Sequence, residues 1–163
     1  MKTVIYPGSF DPVTYGHLDI MRRALALFPK VIVAVAKNSA KTPLFDPIER
    51  AGLITRSIKE AALEHKRLRV EIFDDLLVDY LSRTKAKVII RGLRFISDFE
   101  YEFQMALMNR RLMKDIDTLY LMPEERFIYL SSSIVKEIAR YGRDTRKFVP
   151  DCVANALASK HAP

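Results

Sequence analysis

The sequence predicts an α/β fold, a doubly wound five-stranded parallel sheet with helices on both faces. Three observations carry this reading. Short β-branched runs alternate with longer stretches of helical periodicity along the chain. Several of the runs are apolar on both alternating faces, as strands covered from both sides must be. The joints between runs and helical stretches are short, the pattern of right-handed βαβ units.

Thr3 to Tyr6 is the first strand, and a helix is expected over 16–28. Val31 to Ala36, six apolar residues in succession, is the second strand, followed by a helix over 47–64. That helix opens on Asp46-Pro47-Ile48-Glu49, which supplies an N-cap, a proline at the first helical position and a glutamate that reaches back. Leu68 to Phe73 is the third strand, with a helix over 75–85; Lys87 to Arg91 is the fourth, with a helix over 98–113. Ser97-Asp98-Phe99-Glu100 reads as a second capping box. Thr118 to Met122 is the fifth strand, and helices over 132–142 and 150–160 complete the chain. No linker, repeat or low-complexity segment intervenes, so one domain over 1–163 is expected.

Composition narrows the function classes. A chain that is 49% hydrophobic and 29% charged buries a core rather than staying disordered. Its longest clean apolar run is six residues, against the roughly 20 of a membrane span, and the N-terminus lacks the apolar region of a signal peptide. A cytoplasmic location with no membrane partner is expected. The single cysteine, Cys152, has no intrachain partner, and His17, His65 and His161 are too dispersed to suggest a metal cluster. The charge of +7 falls in small, interrupted groups such as Arg22-Arg23 and Arg110-Arg111. Small phosphorylated ligands and a solvated surface account for it, and no nucleic-acid partner is expected.

In such sheets ligands sit at the carboxyl ends of the strands, beside helix N-termini. The segments to inspect are 7–17, 37–46, 74–77, 91–97 and 123–133. The chain has neither G-x-x-x-x-G-K-S/T nor, after its first strand, G-x-G-x-x-G. That strand leads instead into Pro7-Gly8-Ser9-Phe10-Asp11-Pro12-Val13-Thr14-Tyr15-Gly16-His17. Gly8 lets the backbone turn closely. A histidine at a helix N-terminus faces the positive end of the helix dipole, which disfavours its protonation. A neutral ring there is either a cap alone or a donor to a phosphate oxygen, beside free backbone N–H groups.

Gly8-Ser9-Phe10-Asp11-Pro12 with Thr14-x-Gly16-His17 resembles the T/H-x-G-H signature of the nucleotidyltransferase superfamily. Leu130-Ser131-Ser132-Ser133-x-Val135-Lys136 resembles that superfamily's second element, I-S-S-S/T-x-V/I-K/R. The middle block, Ile90-Arg91-Gly92-Leu93-Arg94, then Asp98-Phe99-Glu100-Tyr101-Glu102 and Met108-Asn109-Arg110, is similar to that of the bacterial phosphopantetheine adenylyltransferase family. The resemblance runs from about residue 2 to 160. It implies a Rossmann-like fold and a reaction that joins ATP to 4'-phosphopantetheine, giving dephospho-coenzyme A and pyrophosphate. A phosphate that is already an anion needs no general base. In-line positioning and donors around the growing charge suffice, which agrees with the lack of a nucleophile–base set in the sequence.

The same resemblance implies the roles of individual residues. His17, Lys41 and Arg94 would carry catalysis, His17 by contacting ATP phosphate and stabilising the transition state. Ser9 and Phe10 would line the junction of the two substrates, with serine where many relatives have threonine. Lys41 would bridge acceptor phosphate and α-phosphate, Arg91 would bind the acceptor phosphate, and Leu77 would touch pantetheine. Gly92, Leu93 and Arg94 would form an ATP-binding turn, with Glu102 and the segment Phe127, Ile128, Tyr129, Leu130, Ser131, Ser132 and Ser133 completing the ATP site. Mg²⁺ would ride mainly on the ATP phosphates, with no protein metal ligands assigned. Coenzyme A is implied as a feedback ligand in the same cleft, and a homohexamer as the assembly.

Two segments are informative without the resemblance. The three serines before the helix at 132–142 pair hydroxyls with unsatisfied helix-start N–H groups; one can cap while others bind phosphate. On the helix at 98–113, Phe99, Phe103, Ala106 and Leu107 form one apolar stripe, and Tyr101, Met105, Met108 and Leu112 a nearly opposite one. Glu102 and Asn109 share a polar line between them. Both stripes call for cover, either from neighbouring helices of the same chain, the last two among them, or from another subunit. Two other readings stay open: a sister nucleotidyltransferase acting on nicotinamide mononucleotide or a cytidine nucleotide, and a binding module without turnover.

Overall fold

The computed structural model describes residues 3–37, 42–64 and 66–161. Five parallel strands form one sheet: β1 (Thr3–Gly8), β2 (Lys30–Ala36), β3 (Leu68–Phe73), β4 (Val88–Gly92) and β5 (Asp117–Leu121). The six helices are α1 (Tyr15–Leu27), α2 (Pro47–Glu60), α3 (Leu77–Thr84), α4 (Ile96–Leu112), α5 (Ser132–Arg140) and α6 (Asp151–Lys160). Strand order is β3-β2-β1-β4-β5. The chain therefore winds outward from β1 in one direction, then returns to its other side with β4. Ligands bind where the winding reverses, here between β1 and β4. These two strands pair at Val4–Val88 and Ile5–Ile89, short of their carboxyl ends, and a cleft opens beyond.

Alternation along the strands builds two cores. Val4, Tyr6, Val31, Val33, Val35 and Ile90 pack with α1, α2, α5 and α6 on one face. Ile5, Ile32, Ala34 and Ile89 pack with Val78, Tyr80 and Leu81 of α3 on the other. Helices thus lie on both faces, as the run-and-helix alternation requires.

Several helix boundaries are corrected, among them the end of α5, which stops at Arg140 rather than 142. The helix expected over 47–64 ends at Glu60, because Ala62 takes a left-handed φ of 50°. The helix expected from 75 begins at Leu77 and closes on Lys85, also left-handed. The box read at Ser97 is not the start of its helix. α4 begins at Ile96, its N-cap Phe95 makes no side-chain cap bond, and Asp98 pairs instead with Arg94 at 3.5 Å. The Asp46–Glu49 box forms as expected, with Pro47 in the first turn.

α4 also overturns one expectation about cover. Its buried side chains are the polar ones, Glu102 and Asn109. Phe99, Tyr101, Phe103, Met105, Leu107, Met108 and Leu112 are 40 to 63% exposed. Its neighbours are α3 and β5, while α5 packs on α6 and α6 on α2. The last two helices do not cover either stripe.

Candidate active site

The loop leaving β1 is held by close packing. Phe10 has φ 49° and is buried, with its ring edge-on to Tyr6 at 5.2 Å and to His17 at 5.1 Å. A Cβ on Gly8 would meet that ring at 3.0 Å, so only glycine leaves the phenylalanine its place.

α1 begins with a capping box in which His17 is the reciprocating residue. Thr14 Oγ1 accepts from His17 N–H at 3.4 Å, and Nδ1 of His17 accepts from Thr14 N–H at 3.0 Å. The histidine is therefore a cap, and its other nitrogen is still available. With Nδ1 committed as an acceptor, the proton of the neutral ring sits on Nε2. Burial lowers the His17 pKa to about 4, and the charges of Arg94 and Arg91 push it the same way.

At the end of β4, Arg91 makes a forked pair with Glu102, Nε to Oε2 at 2.7 Å and Nη2 to Oε1, and donates through Nη1 to Pro7 O at 2.8 Å. Burial disfavours the Arg91 charge, but Glu102 more than restores it, and the guanidinium is held above its ordinary value. Gly92 faces α1, where a Cβ would come within 3.3 Å of Ile20 Cγ1. Arg94 donates to Leu130 O at 2.7 Å, which ties the β4 exit to the segment before α5. There Ser131 Oγ caps Ile134 N–H at 3.2 Å, and Ser132 Oγ donates to Pro12 O at 2.8 Å. The first N–H groups of α5 have no partner inside the helix. Phe127 lies in a 3-10 turn, stacked with Tyr15 at 6.4 Å and under the Arg126 guanidinium at 4.6 Å.

These groups converge on one cleft of about 500 Å³, the size of a small-molecule site. Of the residues singled out in the sequence, Ser9, Phe10, His17, Arg91, Gly92, Arg94, Glu102, Phe127, Leu130, Ser131, Ser132 and Ser133 line it. Leu93, Ile128 and Tyr129 are close in sequence but are not part of its lining; Tyr129 faces an adjoining hollow with Tyr15 and Phe148. Leu77 opens α3 and packs against the second core. Lys41 lies outside the described residues. Both carboxylates of the cleft, Asp98 and Glu102, are engaged by arginines. Among the described residues no group of three or more His, Cys, Asp and Glu could hold a metal ion, and no helix is long and apolar enough to cross a membrane.

Three framing residues were not assigned roles from the sequence. The buried Asp11 carboxylate accepts from Leu44 N–H and Phe45 N–H at 2.9 Å each, and from Lys136 Nζ at 2.6 Å. Arg50 is fully buried on α2. A signal for it existed, since Arg50, Leu53, Ile54 and Ser57 share the buried face of that helix at helical spacing.

Residues 5–138 match the family model described as cytidylyltransferase-like. The phosphopantetheine adenylyltransferase of Caldanaerobacter subterraneus subsp. tengcongensis is 52% identical over 160 residues, 98% of each chain. That of Geobacter sulfurreducens is 53% identical over 161 residues, 99% of this chain and 96% of its own. In fold, the chain resembles Plasmodium falciparum nicotinic acid mononucleotide adenylyltransferase complexed with NaAD, at a TM-score of 0.73, 17% identity and coverage of 99% and 97%. It also resembles a bifunctional NMN adenylyltransferase/ADP ribose pyrophosphatase from Francisella tularensis, at a TM-score of 0.72 and 16% identity, over 97% of this chain and 48% of that one. The last two likenesses establish the architecture alone, whereas half-identity over nearly the full length does more: the chain belongs to the phosphopantetheine adenylyltransferase family, among the cytidylyltransferase-like nucleotidyltransferases.

Proposed function

We propose that this chain transfers the adenylyl group of ATP to 4'-phosphopantetheine, giving dephospho-coenzyme A and pyrophosphate, a step of coenzyme A biosynthesis. An oxygen of the 4'-phosphate attacks the α-phosphorus in line. The bond to pyrophosphate breaks as the new one forms, and no proton need be taken from the nucleophile. The observation that carries the reading is the neutral His17, whose Nε2–H is left as a donor in the same cleft as two guanidinium groups. Such a donor loses nothing to protonation and acts where charge develops.

The roles then divide by position. His17, Arg94 and Lys41 stabilise the transferring phosphoryl group. Arg91 has two N–H groups beyond those given to Glu102 and Pro7, and these take the acceptor phosphate, with Ser9 at the junction and Leu77 further along the pantetheine arm. The ATP side is formed by Phe10, Gly92, Leu93, Glu102 and the segment from Phe127 to Ser133, where α5 presents unpaired N–H groups. Mg²⁺ enters on the ATP phosphates as part of that substrate, since Asp98 and Glu102 are already held by arginines. The whole chain works as one nucleotidyltransferase domain in the cytoplasm, with coenzyme A as a feedback ligand of the same cleft. The apolar faces of α4 meet other copies in a homohexamer. Pyrophosphate release with ATP and Mg²⁺, measured separately with 4'-phosphopantetheine, nicotinamide mononucleotide and a cytidine nucleotide, tests the reading. Release with phosphopantetheine is expected, and none above the acceptor-free control would overturn it.

A further inference from the structure

We propose that Arg50 is a positioning residue for the acceptor half of the cleft, holding the Ser9–Phe10 turn in a fixed frame with the carboxyl end of β2; the inference rests on the role given to Ser9 above. Arg50 has no exposed surface. Its guanidinium is spent on backbone carbonyls: Nη1 donates to Ser9 O at 2.7 Å and Ala36 O at 2.9 Å, Nη2 to Lys37 O at 3.4 Å, and Nε to Phe45 O at 3.1 Å. Among the described residues no carboxylate forms an ion pair with it. A buried cation that forgoes a carboxylate for four carbonyls on three separate segments fixes where those segments stand relative to one another.

The bond to Ser9 O has a specific consequence. The residue after it, Phe10, sits at φ 49°, a conformation that bulky side chains rarely adopt. Two contacts hold it there: the ring lodged over Gly8 and beside His17, and Arg50 on the carbonyl just before it. Release of that carbonyl frees the peptide to relax toward negative φ, which shifts both the Ser9 hydroxyl and the ring that abuts His17. Arg50 also joins the two strand ends whose loops carry Ser9 and, in sequence, Lys41, since it holds Ala36 and Lys37 before that lysine and Phe45 after it. The planar fork is needed for this. A lysine ammonium is one point with three donors and cannot span the four acceptors.

Arg50→Lys keeps the charge and loses the fork; Arg50→Ala leaves a void of guanidinium shape. With Arg50→Lys, kcat/KM for phosphopantetheine is expected to fall about a hundredfold, the scale of a small misplacement of reacting groups, while KM for ATP changes by no more than about twofold. Millimolar guanidinium is expected to restore turnover to Arg50→Ala, and sodium chloride of equal ionic strength is not. Hydrogen exchange in a peptide covering 8–12 is expected to quicken in Arg50→Lys while peptides from the β1 and β4 cores do not change. Wild-type kinetics in Arg50→Lys, a KM for ATP raised as much as that for phosphopantetheine, or unaltered exchange at 8–12 would overturn the proposal. Unfolding of both variants would overturn it as well, by making Arg50 a folding residue only. If the wild type itself releases no pyrophosphate with phosphopantetheine, the functional reading fails, and the exchange experiment still decides the role of Arg50.

Discussion

The backbone N–H of Thr14 donates to Nδ1 of His17 at 3.0 Å, and this bond determines what the imidazole has left to offer. The nitrogen that completes the helix cap cannot serve the substrate. The proton must then be on the other one. In the proposed reaction, capping and catalysis are divided between the two nitrogens of one ring, so a substitution at His17 is expected to have two separable costs. His17→Ala should lower kcat for adenylyl transfer by about 10²–10³, or about 2.7–4 kcal/mol, with ATP affinity nearly retained. It should also lower stability by about 1 kcal/mol through the lost cap. Steady-state kinetics beside calorimetric ATP binding separates the two, and equal losses in affinity and turnover would make His17 a ground-state contact.

The depressed pKa of His17 has a pH signature. The folded value is about 4 against 6.5 for a free histidine, so between these values the unfolded chain binds a proton that the folded chain does not. Stability from this group is complete above the free value and declines as pH falls toward the folded one. Thermal unfolding of wild type and His17→Asn across that window should therefore converge at acid pH. The kcat profile is expected to stay flat where an ordinary histidine titrates; an inflection there that His17→Asn abolishes would contradict a neutral donor. kcat is the quantity to follow, because a free phosphate monoester titrates near pH 6 and moves kcat/KM by itself.

Arg91 and Glu102 form a second coupled pair. The glutamate takes both Nε and Nη2 of the arginine, so it sets the plane of the guanidinium that the proposed function assigns to the acceptor phosphate. Glu102→Gln is expected to raise KM for phosphopantetheine about tenfold, the cost of one charge-assisted hydrogen bond, together with any loss toward ATP. A rise in the ATP constant alone would make Glu102 an ATP contact with no hold on Arg91.

Much of this was legible in the sequence for a physical reason. Strand runs such as Val31–Ala36 and the Asp46–Glu49 box are local signals, and local signals survive into the fold. The glycine-flanked loop and the serine triplet likewise identify themselves by residue type. What the sequence withheld is long-range partnership. Lys136 is 125 residues from the aspartate it meets, and Arg50 is 41 from Ser9, so neither bond leaves a trace in spacing. The start of α4 departs from its local motif: the helix begins at Ile96, ahead of the Ser97–Glu100 box, and its N-cap Phe95 makes no side-chain cap bond.

The Asp11–Lys136 pair should be strongly coupled because it is enclosed. The side chains are 6% and 29% exposed, and Asp11 also accepts two backbone N–H groups of the loop before α2. Asp11→Asn and Lys136→Met are each expected to cost about 1–3 kcal/mol in urea unfolding, with the double variant costing less than their sum by about 1 kcal/mol or more. The Lys87–Asp115 pair is the control. At 61% and 73% exposed it should show about 0–1 kcal/mol of coupling. Equal coupling in the two cycles would mean that burial does not strengthen the inner pair.

Assembly is the last expectation, and α4 supplies its argument. The helix turns Glu102 and Asn109 inward, because Glu102 serves Arg91 and because its carbonyl takes the Tyr120 hydroxyl at 3.0 Å. With the polar line spent on the site, its apolar residues have only the outside. Ile96 is 89% exposed and Leu112 63%. Soluble monomers rarely leave so many large apolar side chains of one helix bare, and symmetric association of copies would cover them. Light scattering should give a mass of about 113 kDa, six chains of 18.8 kDa. Met105→Glu with Met108→Glu should then yield smaller species, because two carboxylates would be buried without partners at each contact. A wild-type mass near that of one chain would refute the assembly. A hexamer that survives the double substitution would show that Met105 and Met108 are not buried at the interface.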